Sequence, residues 1–377
     1  MITLILTLTL LFLVLLIGYT VLLNQYHRAL QEMKPQPASL DTIPLVSVII
    51  PARNEAQNIA NCLKALFEQD FPSSCVEIIV IDDHSTDDTA RIAAEFPVKV
   101  IRLADFIHQD TLAFKKMAIT KGIEAAKGEI ILTTDADCVA PKGWIRSMTE
   151  PIRNNHAIMT IGGVRMVSED SYISKFQALD FAILQGITAA AVSSRMHDMA
   201  SGANLAYTRA VFYEVNGFDG VDDIASGDDM LLMQKISARY DNSIQYVSGS
   251  DSIVETKTEP DLKSFFRQRI RWASKTNKYK SKKLLRILAM VYFLNLTVFS
   301  LMVLAPFNWI ATITALACIA LKTLTEWRFI KDVLYYFKLS SLLVIFLPSQ
   351  PLHIIYTVVS GTFGLFGTVQ WKGRKVK

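Results

Sequence analysis

Cysteine is scarce: Cys62, Cys75, Cys138 and Cys318 are the four in 377 residues, with no C-x-x-C pair and no neighbouring histidine. That argues against a zinc site and a disulfide framework, and these thiols read as core or membrane residues of a reducing compartment. Two phosphate signatures are missing as well. No G-x-x-x-x-G-K-[ST] run occurs, which argues against a P-loop nucleotidase. No G-x-G-x-x-G follows the first expected strand, which argues against a dinucleotide oxidoreductase. No internal repeat or low-complexity tract interrupts the chain. Charge is absent from residues 2–24, a stretch long enough to span a bilayer. A secretory signal would start with basic residues and end at a small-residue cleavage site. This one has no basic start and runs into Asn24-Gln25-Tyr26-His27-Arg28, so a retained anchor over residues 1–28 is expected.

Apolar residues are abundant, at 51% of the chain, and clustered. Beyond the first span, apolar runs cover about 287–305 and 308–325, then a Pro-interrupted stretch at 339–368. Basic residues frame them: Lys275, Lys278, Lys280, Lys282, Lys283 and Arg286, then Lys322, Arg328 and Lys331, then Lys372, Arg374, Lys375 and Lys377. The positive-inside rule puts these clusters, and the large block between the anchors, in the cytoplasm of a plasma- or inner-membrane protein. A lone basic run is usually a solvated face. Next to apolar spans it is a topology signal, so the net charge of +4 calls for no nucleic acid.

After a linker at 29–45 holding Pro35, Pro37 and Pro44, strand and helix patterns alternate. Strands are expected at Val46–Ile50, Glu77–Ile81, Val98–Ile101 and Glu129–Thr134, and helices at Glu55–Phe67, Thr86–Glu95 and Ala113–Ala126. That alternation implies βαβ units and a mainly parallel sheet flanked by helices. Ser85 or Thr86 suits the N-cap of its helix, with Asp87 and Asp88 in the first turn. Asp82 and Asp83 precede the cap and are not explained by it. His84 and His108 lack metal-ligand spacing and read as structural.

The run EIILTTDADC at 129–138 carries the most chemistry. A β-branched strand ends in Asp135 and Asp137, at the strand end where open α/β sheets bind ligands. One or two carboxylates with substrate phosphate oxygens are a common way to hold Mg²⁺. A lone D-x-D is more often a solvated turn; its neighbours decide here. LKSFFRQRIRW at 262–272 reads as a basic amphipathic helix lying on the membrane, with Trp272 at headgroup depth. Residues 171–197 form another helix-length stretch, with Tyr172, Phe176, Leu179 and Ile183 on a packing or docking face.

Taken in order, these segments resemble the family 2 inverting glycosyltransferases with a GT-A fold. VSVIIPARNE (46–55), VIDDHSTDDT (80–89), FKKMAITKGIEAAKGEIILTTDAD (114–137), SGANLAYTRAVFYEVNGFD (201–219), SGDDMLL (226–232) and QRIRW (268–272) carry the resemblance. The last is similar to the Q-x-x-R-W of the membrane-bound branch, which includes ceramide glucosyltransferases and polysaccharide synthases. The resemblance implies a nucleotide-sugar donor, expected to be a UDP sugar by the Asp83 contact to the uracil imide, with Pro51, Asn54 and Glu55 lining the nucleoside pocket. It implies that Lys115 contacts the nucleotide and that Asp135 faces the ribose or the metal. Asp137 would ligate Mg²⁺ or Mn²⁺ against the diphosphate, and Gln268, Arg271 and Trp272 would border acceptor and diphosphate. Asp229 takes the position of the catalytic base. Two departures stand out: Phe114 replaces a common glycine, and Asp228-Asp229 replaces Glu-Asp, which leaves either carboxylate eligible for the chemistry. Single displacement at the anomeric carbon needs no covalent nucleophile, so the lack of a Ser-His-Asp pattern is no obstacle.

The expected organisation is an anchor at 1–28, a linker at 29–45, a cytoplasmic catalytic domain at 46–260, an interfacial helix and basic loop at 261–283, a transmembrane region at 284–370 and a basic tail at 371–377. The leading reading is sugar transfer to a lipid-borne acceptor at the cytoplasmic leaflet. A processive polysaccharide synthase is the nearest rival, and three or four spans look cramped for its channel. A non-catalytic scaffold would show loss of the D-x-D or of the base, and neither is seen. A sugar-nucleotide pyrophosphorylase would want a Gly-rich loop after the first strand.

Overall fold

The computed structural model describes residues 1–34, 42–106, 114–221, 227–276, 279, 281–366, 370–371 and 374–375. Pro35, Pro37, His108, Ser226, Lys278, Lys280, Lys372 and Lys377 lie outside the described residues. In chain order the elements are α1 (Ile2–Glu32), β1 (Val46–Ala52), α2 (Ile59–Phe67), β2 (Val76–Asp82), α3 (Thr89–Ala93), β3 (Lys99–Arg102), α4 (Phe114–Ala125), β4 (Ile130–Thr133), α5 (Trp144–Asn154), β5 (Met159–Ile161) and β6 (Val164–Val167). They continue with α6 (Tyr172–Ser193), β7 (Leu205–Thr208), α7 (Arg209–Glu214), α8 (Asp228–Ser237), β8 (Ile244–Tyr246), β9 (Val254–Lys257), α9 (Leu262–Ala273), α10 (Lys282–Leu304), α11 (Trp309–Tyr336) and α12 (Leu343–Phe366).

Seven strands form one sheet in the order β3-β2-β1-β4-β7-β5-β8. β1 pairs parallel with β2 and β4, β2 with β3, and β5 with β8, while β7 runs antiparallel to β4 and β5. Val46, Val48, Ile49 and Ile50 of β1 and Ile130–Leu132 of β4 are buried, as β-branched residues in a strand covered on both faces should be. α2 and α4 supply Ile59, Cys62, Leu63, Ala118, Ile119 and Ile123 to this core. Chain order reverses at the β1–β4 junction, and the crevice beyond such a switch point is where open sheets take ligands. The fold is GT-A-like, a mostly parallel sheet flanked by helices, with apolar helices near both ends of the chain.

Two local expectations need correction. The helix expected from Glu55 begins at Ile59, because residues 53–56 bond across to the segment after β2. Neither Ser85 nor Thr86 caps α3, whose N-cap is Asp88. Asp87 accepts from the Thr89 amide (3.1 Å), while Ser85 Oγ accepts from the Asn54 amide (3.0 Å) and the Thr86 amide donates to Asn54 Oδ1 (2.8 Å). Asn54 tolerates the required φ of 51°, since asparagine enters the left-handed region more readily than most residues.

Among the described residues five helices are long and apolar enough to cross a membrane, namely α1, α6 and the segments containing α10, α11 and α12. α6 is different in kind, since most of it is buried inside the protein, so the packing face expected at 171–197 is a core face. α1, by contrast, exposes Leu4, Leu6, Leu10, Val14, Ile17 and Val21, apolar on most sides as lipid-facing helices are. α12 touches the α/β unit near both its ends. Ser349 bonds Tyr172 at 3.1 Å, and a Cβ on Gly364 would come within 2.6 Å of Ala273 Cβ.

Candidate active site

The loops at the carboxyl ends of β1, β2 and β4 meet at one edge of the sheet. Asp82 and Asp83 are both buried. The Asp83 amide donates to Ala52 O (2.7 Å), Arg53 Nη1 donates to Asp83 O (2.9 Å), and His84 Nδ1 lies 3.0 Å from Asp83 Oδ1. His84 is therefore a positioning partner of Asp83, in line with its structural reading. Glu55 is fixed by Thr89 Oγ1 at its amide (2.7 Å) and accepts from Asn58 Nδ2 (2.8 Å). Pro51, in β1, is half-buried at the floor of the same loop cluster.

β4 stops at Thr133, so Asp135 and Asp137 stand on the turn beyond the strand, not on the strand itself. The turn is closed by the Cys138 amide on Asp135 O (3.0 Å). Lys115, from the first turn of α4, reaches Asp135 Oδ1 at 2.7 Å and Asp228 Oδ2 at 3.5 Å. It thus ties the β4 turn to the start of α8. Burial alone would lower the Lys115 ammonium, but Asp135 and Asp228 outweigh it and hold the group above the ordinary lysine range. Burial would likewise raise the Asp228 carboxyl, yet Lys115 and Lys275 hold it below its usual value. Lys275 is pushed down by burial against the pull of Asp229, and Arg271 by burial in the field of Asp135, Glu259 and the two aspartates of α8.

Two glycines make this approach possible. Gly227, at φ +85°, caps α8 in a backbone state that favours glycine. A Cβ on Gly202 would sit 2.9 Å from Asp228 Oδ2 and 3.2 Å from Lys115 Nζ. The Gly202 amide also donates to Asp229 Oδ2 (3.0 Å), and the Met230 amide to Asp229 Oδ1 (2.7 Å). Of the two α8 acids, Asp228 is buried and committed to Lys115, while Asp229 is only half-buried and each of its oxygens keeps a further lone pair. Asn204, two residues on, is a buried structural hub, bonded to Trp144, Gly163 and Ser252.

The donor set suits a divalent cation. Among the described residues no group of three His, Cys, Asp or Glu side chains gathers as a ready-made cage. Two carboxylates on one turn, Asp135 and Asp137, match instead the mode in which substrate phosphates complete the shell. Cys62 and Cys138 lie nearby, and burial, then Asp137 and Asp135, push both thiols upward.

On α9, Gln268 Nε2 donates to Glu259 Oε1 (2.9 Å), and Arg271 faces the acids of the site. Trp272 is half-buried, with Arg269 at 4.2 Å over its ring and Phe181 at 5.8 Å. Its ring thus packs against a guanidinium and a second aromatic side chain. The motif reading missed Arg269, Asp180 and Lys275. Arg269 and Lys275 flank recognisable residues but look like further surface charge, and Asp180 had no signal beyond being an acid in an apolar helix.

The fold is GT-A-like, and the acids cluster at the carboxyl ends of its central strands. Residues 47–215 match the family model described as Glycosyl transferase family 2. The structure superimposes on a mannosyltransferase from Pyrobaculum calidifontis, solved with GDP-Man and Mn²⁺, with TM-score 0.51 and 20% identity over 94% of this chain and 99% of that one. Similar sequences include Glycosyltransferase AglE of Haloferax volcanii, 35% identical over 33% of this chain and 40% of its own length. Probable glycosyltransferase YdaM of Bacillus subtilis is 27% identical over 66% of this chain and 58% of its own. A poly-beta-1,6-N-acetyl-D-glucosamine synthase of Staphylococcus epidermidis is 24% identical over 60% and 53% respectively. The chain thus spans about half the length of the curated relatives it matches. Residues 47–215 are thus similar to family 2 glycosyltransferases.

Proposed function

We propose that the protein is a membrane-anchored inverting glycosyltransferase that moves a sugar from a nucleoside-diphosphate donor, UDP-linked by the Asp83 reading, to a lipid-borne acceptor at the cytoplasmic leaflet. The observation that carries this is the Lys115 bridge, which joins Asp135 of the D-x-D turn to Asp228 beside the base. Donor and acceptor halves of the site are thereby held together. Pro51, Asn54, Glu55 and Asp83 form the nucleoside end, and Lys115 lies against the diphosphate. Asp229 takes the acceptor proton, its carboxylate oriented by the Gly202 and Met230 amides. A divalent cation held by Asp137 and Asp135 supplies Lewis-acid neutralisation of the diphosphate when bound. Gln268, Arg271 and Trp272 border the acceptor.

The membrane arrangement supports a lipid acceptor. α9 lies between the acids and α12, an apolar helix of 24 residues. α12 meets the α/β unit near both ends, which supports a final segment that returns to the catalytic side. The test is a panel of nucleotide sugars with membrane lipid extracts, read by mass spectrometry for lipids that gain one hexose. A second reading, processive polymer synthesis, draws on the synthase relative from S. epidermidis. Product length separates the two: a ladder of many additions supports the synthase, and a single mass increment supports lipid glycosylation.

A further inference from the structure

Arg269 lies between the motif residues Gln268 and Trp272, yet it turns into the protein and is only 5% exposed. Its Nη2 donates to Asp180 Oδ2 at 2.8 Å, and its Nη1 to Gln268 Oε1 at 3.1 Å. Its guanidinium also lies over the rings of Trp272 (4.2 Å) and Phe265 (4.9 Å). One buried group therefore touches both Gln268 and Trp272. Asp180 comes from α6, far away in sequence, and is itself 6% exposed. Its second oxygen, Oδ1, accepts from Tyr356 Oη and faces His353 Nδ1 at 3.4 Å, both on α12. Phe176, Phe265 and Tyr356 pack edge-to-face around the pair.

A surface ion pair could be lost with little effect. A buried guanidinium that loses its paired carboxylate cannot stay where it is, because an unpaired charge in a low-dielectric site is strongly unfavourable. Arg269 would turn toward water, and its stack on Trp272 and its bond to Gln268 would go with it. Asp180 in turn is held by α12.

We propose that Asp180 is a positioning residue for the Gln268–Trp272 face of α9, and that Tyr356 and His353 make α12 part of the acceptor side of the site. The inference rests on the glycosyltransferase reading above. It assigns α12 a role in presenting the acceptor in addition to anchoring the chain. The nucleoside end, on β1, β2 and β4, lies outside this chain of contacts.

The test uses the full chain in nanodiscs, with Asp180→Asn, Tyr356→Phe and their double variant. UDP binding with Mn²⁺, donor hydrolysis by water and transfer to lipid are measured together. In Asp180→Asn the ratio of transfer to hydrolysis should fall by about tenfold or more, as loss of a charge-assisted hydrogen bond would give. UDP binding should stay within about twofold of the parent chain by the same conversion. Tyr356→Phe should lower the ratio less, with no further effect in the Asp180→Asn background, and the acceptor KM should rise while the donor KM does not. A proportionate loss of binding, hydrolysis and transfer would mean a merely structural pair and would overturn the proposal, as would an unchanged ratio. Should Asp180→Asn fail to fold, Tyr356→Phe, which keeps the ring, carries the test. The Trp272 emission, taken as the difference from Trp272→Phe, is read as well and needs no activity. A red shift in Asp180→Asn supports positioning and an unmoved band refutes it, even if the parent chain transfers no sugar and the functional reading itself falls.

Discussion

Replacing Asp229 by asparagine separates base from scaffold. The side chain accepts from two backbone amides, Gly202 at 3.0 Å and Met230 at 2.7 Å, one on each oxygen. An amide keeps the shape, but its NH₂ must face one of those donors. The structural loss is one charge-assisted hydrogen bond, about 1.5–3 kcal/mol at most, in a side chain that is only half-buried. The catalytic loss is larger. A positioned general base contributes about 10²–10⁴-fold, or roughly 2.7–5.4 kcal/mol at 1.36 kcal/mol per tenfold. Turnover should therefore fall by at least about 10²-fold, while UDP binding by calorimetry stays close to the parent value. Asp228→Asn should fail differently: it frees Lys115 from one of its two carboxylates, so the donor KM rises along with the loss of rate. Parent-like turnover in Asp229→Asn beside a dead Asp228→Asn that still binds donor would refute the assignment and move the base by one residue.

Other outcomes follow from the same geometry. Asp137→Ala should lose transfer together with its dependence on Mg²⁺ or Mn²⁺, and full activity of the parent chain in excess chelator would refute metal use. Lys115→Met should destabilise the protein by up to about 3 kcal/mol, because it leaves Asp228 buried beside only its weaker partner Lys275. The sign with pH is definite. In the parent chain the lowered Asp228 contributes stability that is full above the ordinary carboxylate pKa and lost as pH falls through its depressed value. Without Lys115, burial raises the group instead, so the deficit in unfolding midpoint should shrink from pH 7 toward pH 5; a deficit that grows on acidification would contradict the pairing. A cysteine placed after Lys377 should resist a membrane-impermeant thiol reagent in intact cells and react after permeabilisation, whereas labelling of intact cells would mean that α12 crosses the bilayer.

Much was legible in the chain itself, for local reasons. The strands Val46–Ala52, Val76–Asp82 and Ile130–Thr133 are β-branched runs buried on both faces, and such runs announce themselves without partners. The uncharged 2–24 and the apolar C-terminal blocks are compositional facts, and helices over them follow from length and hydropathy. The acids at the strand ends were visible because their positions relative to those runs are set within a few residues. What only the tertiary structure decided involves partners distant in sequence. Residues 55–58 looked helical, but Ser85, Asp87 and Thr89 accept from the amides of residues 54–56 and delay α2 to Ile59. Lys115 became a bridge only when α8 brought Asp228 beside Asp135, more than ninety positions apart. Arg269 read as one more basic residue of a surface helix until α6 and α12 enclosed it with Asp180, Tyr356 and His353. Periodicity reports which face of an element is apolar, whereas the partner of a buried charge depends on how separate elements dock, and local sequence carries no record of that.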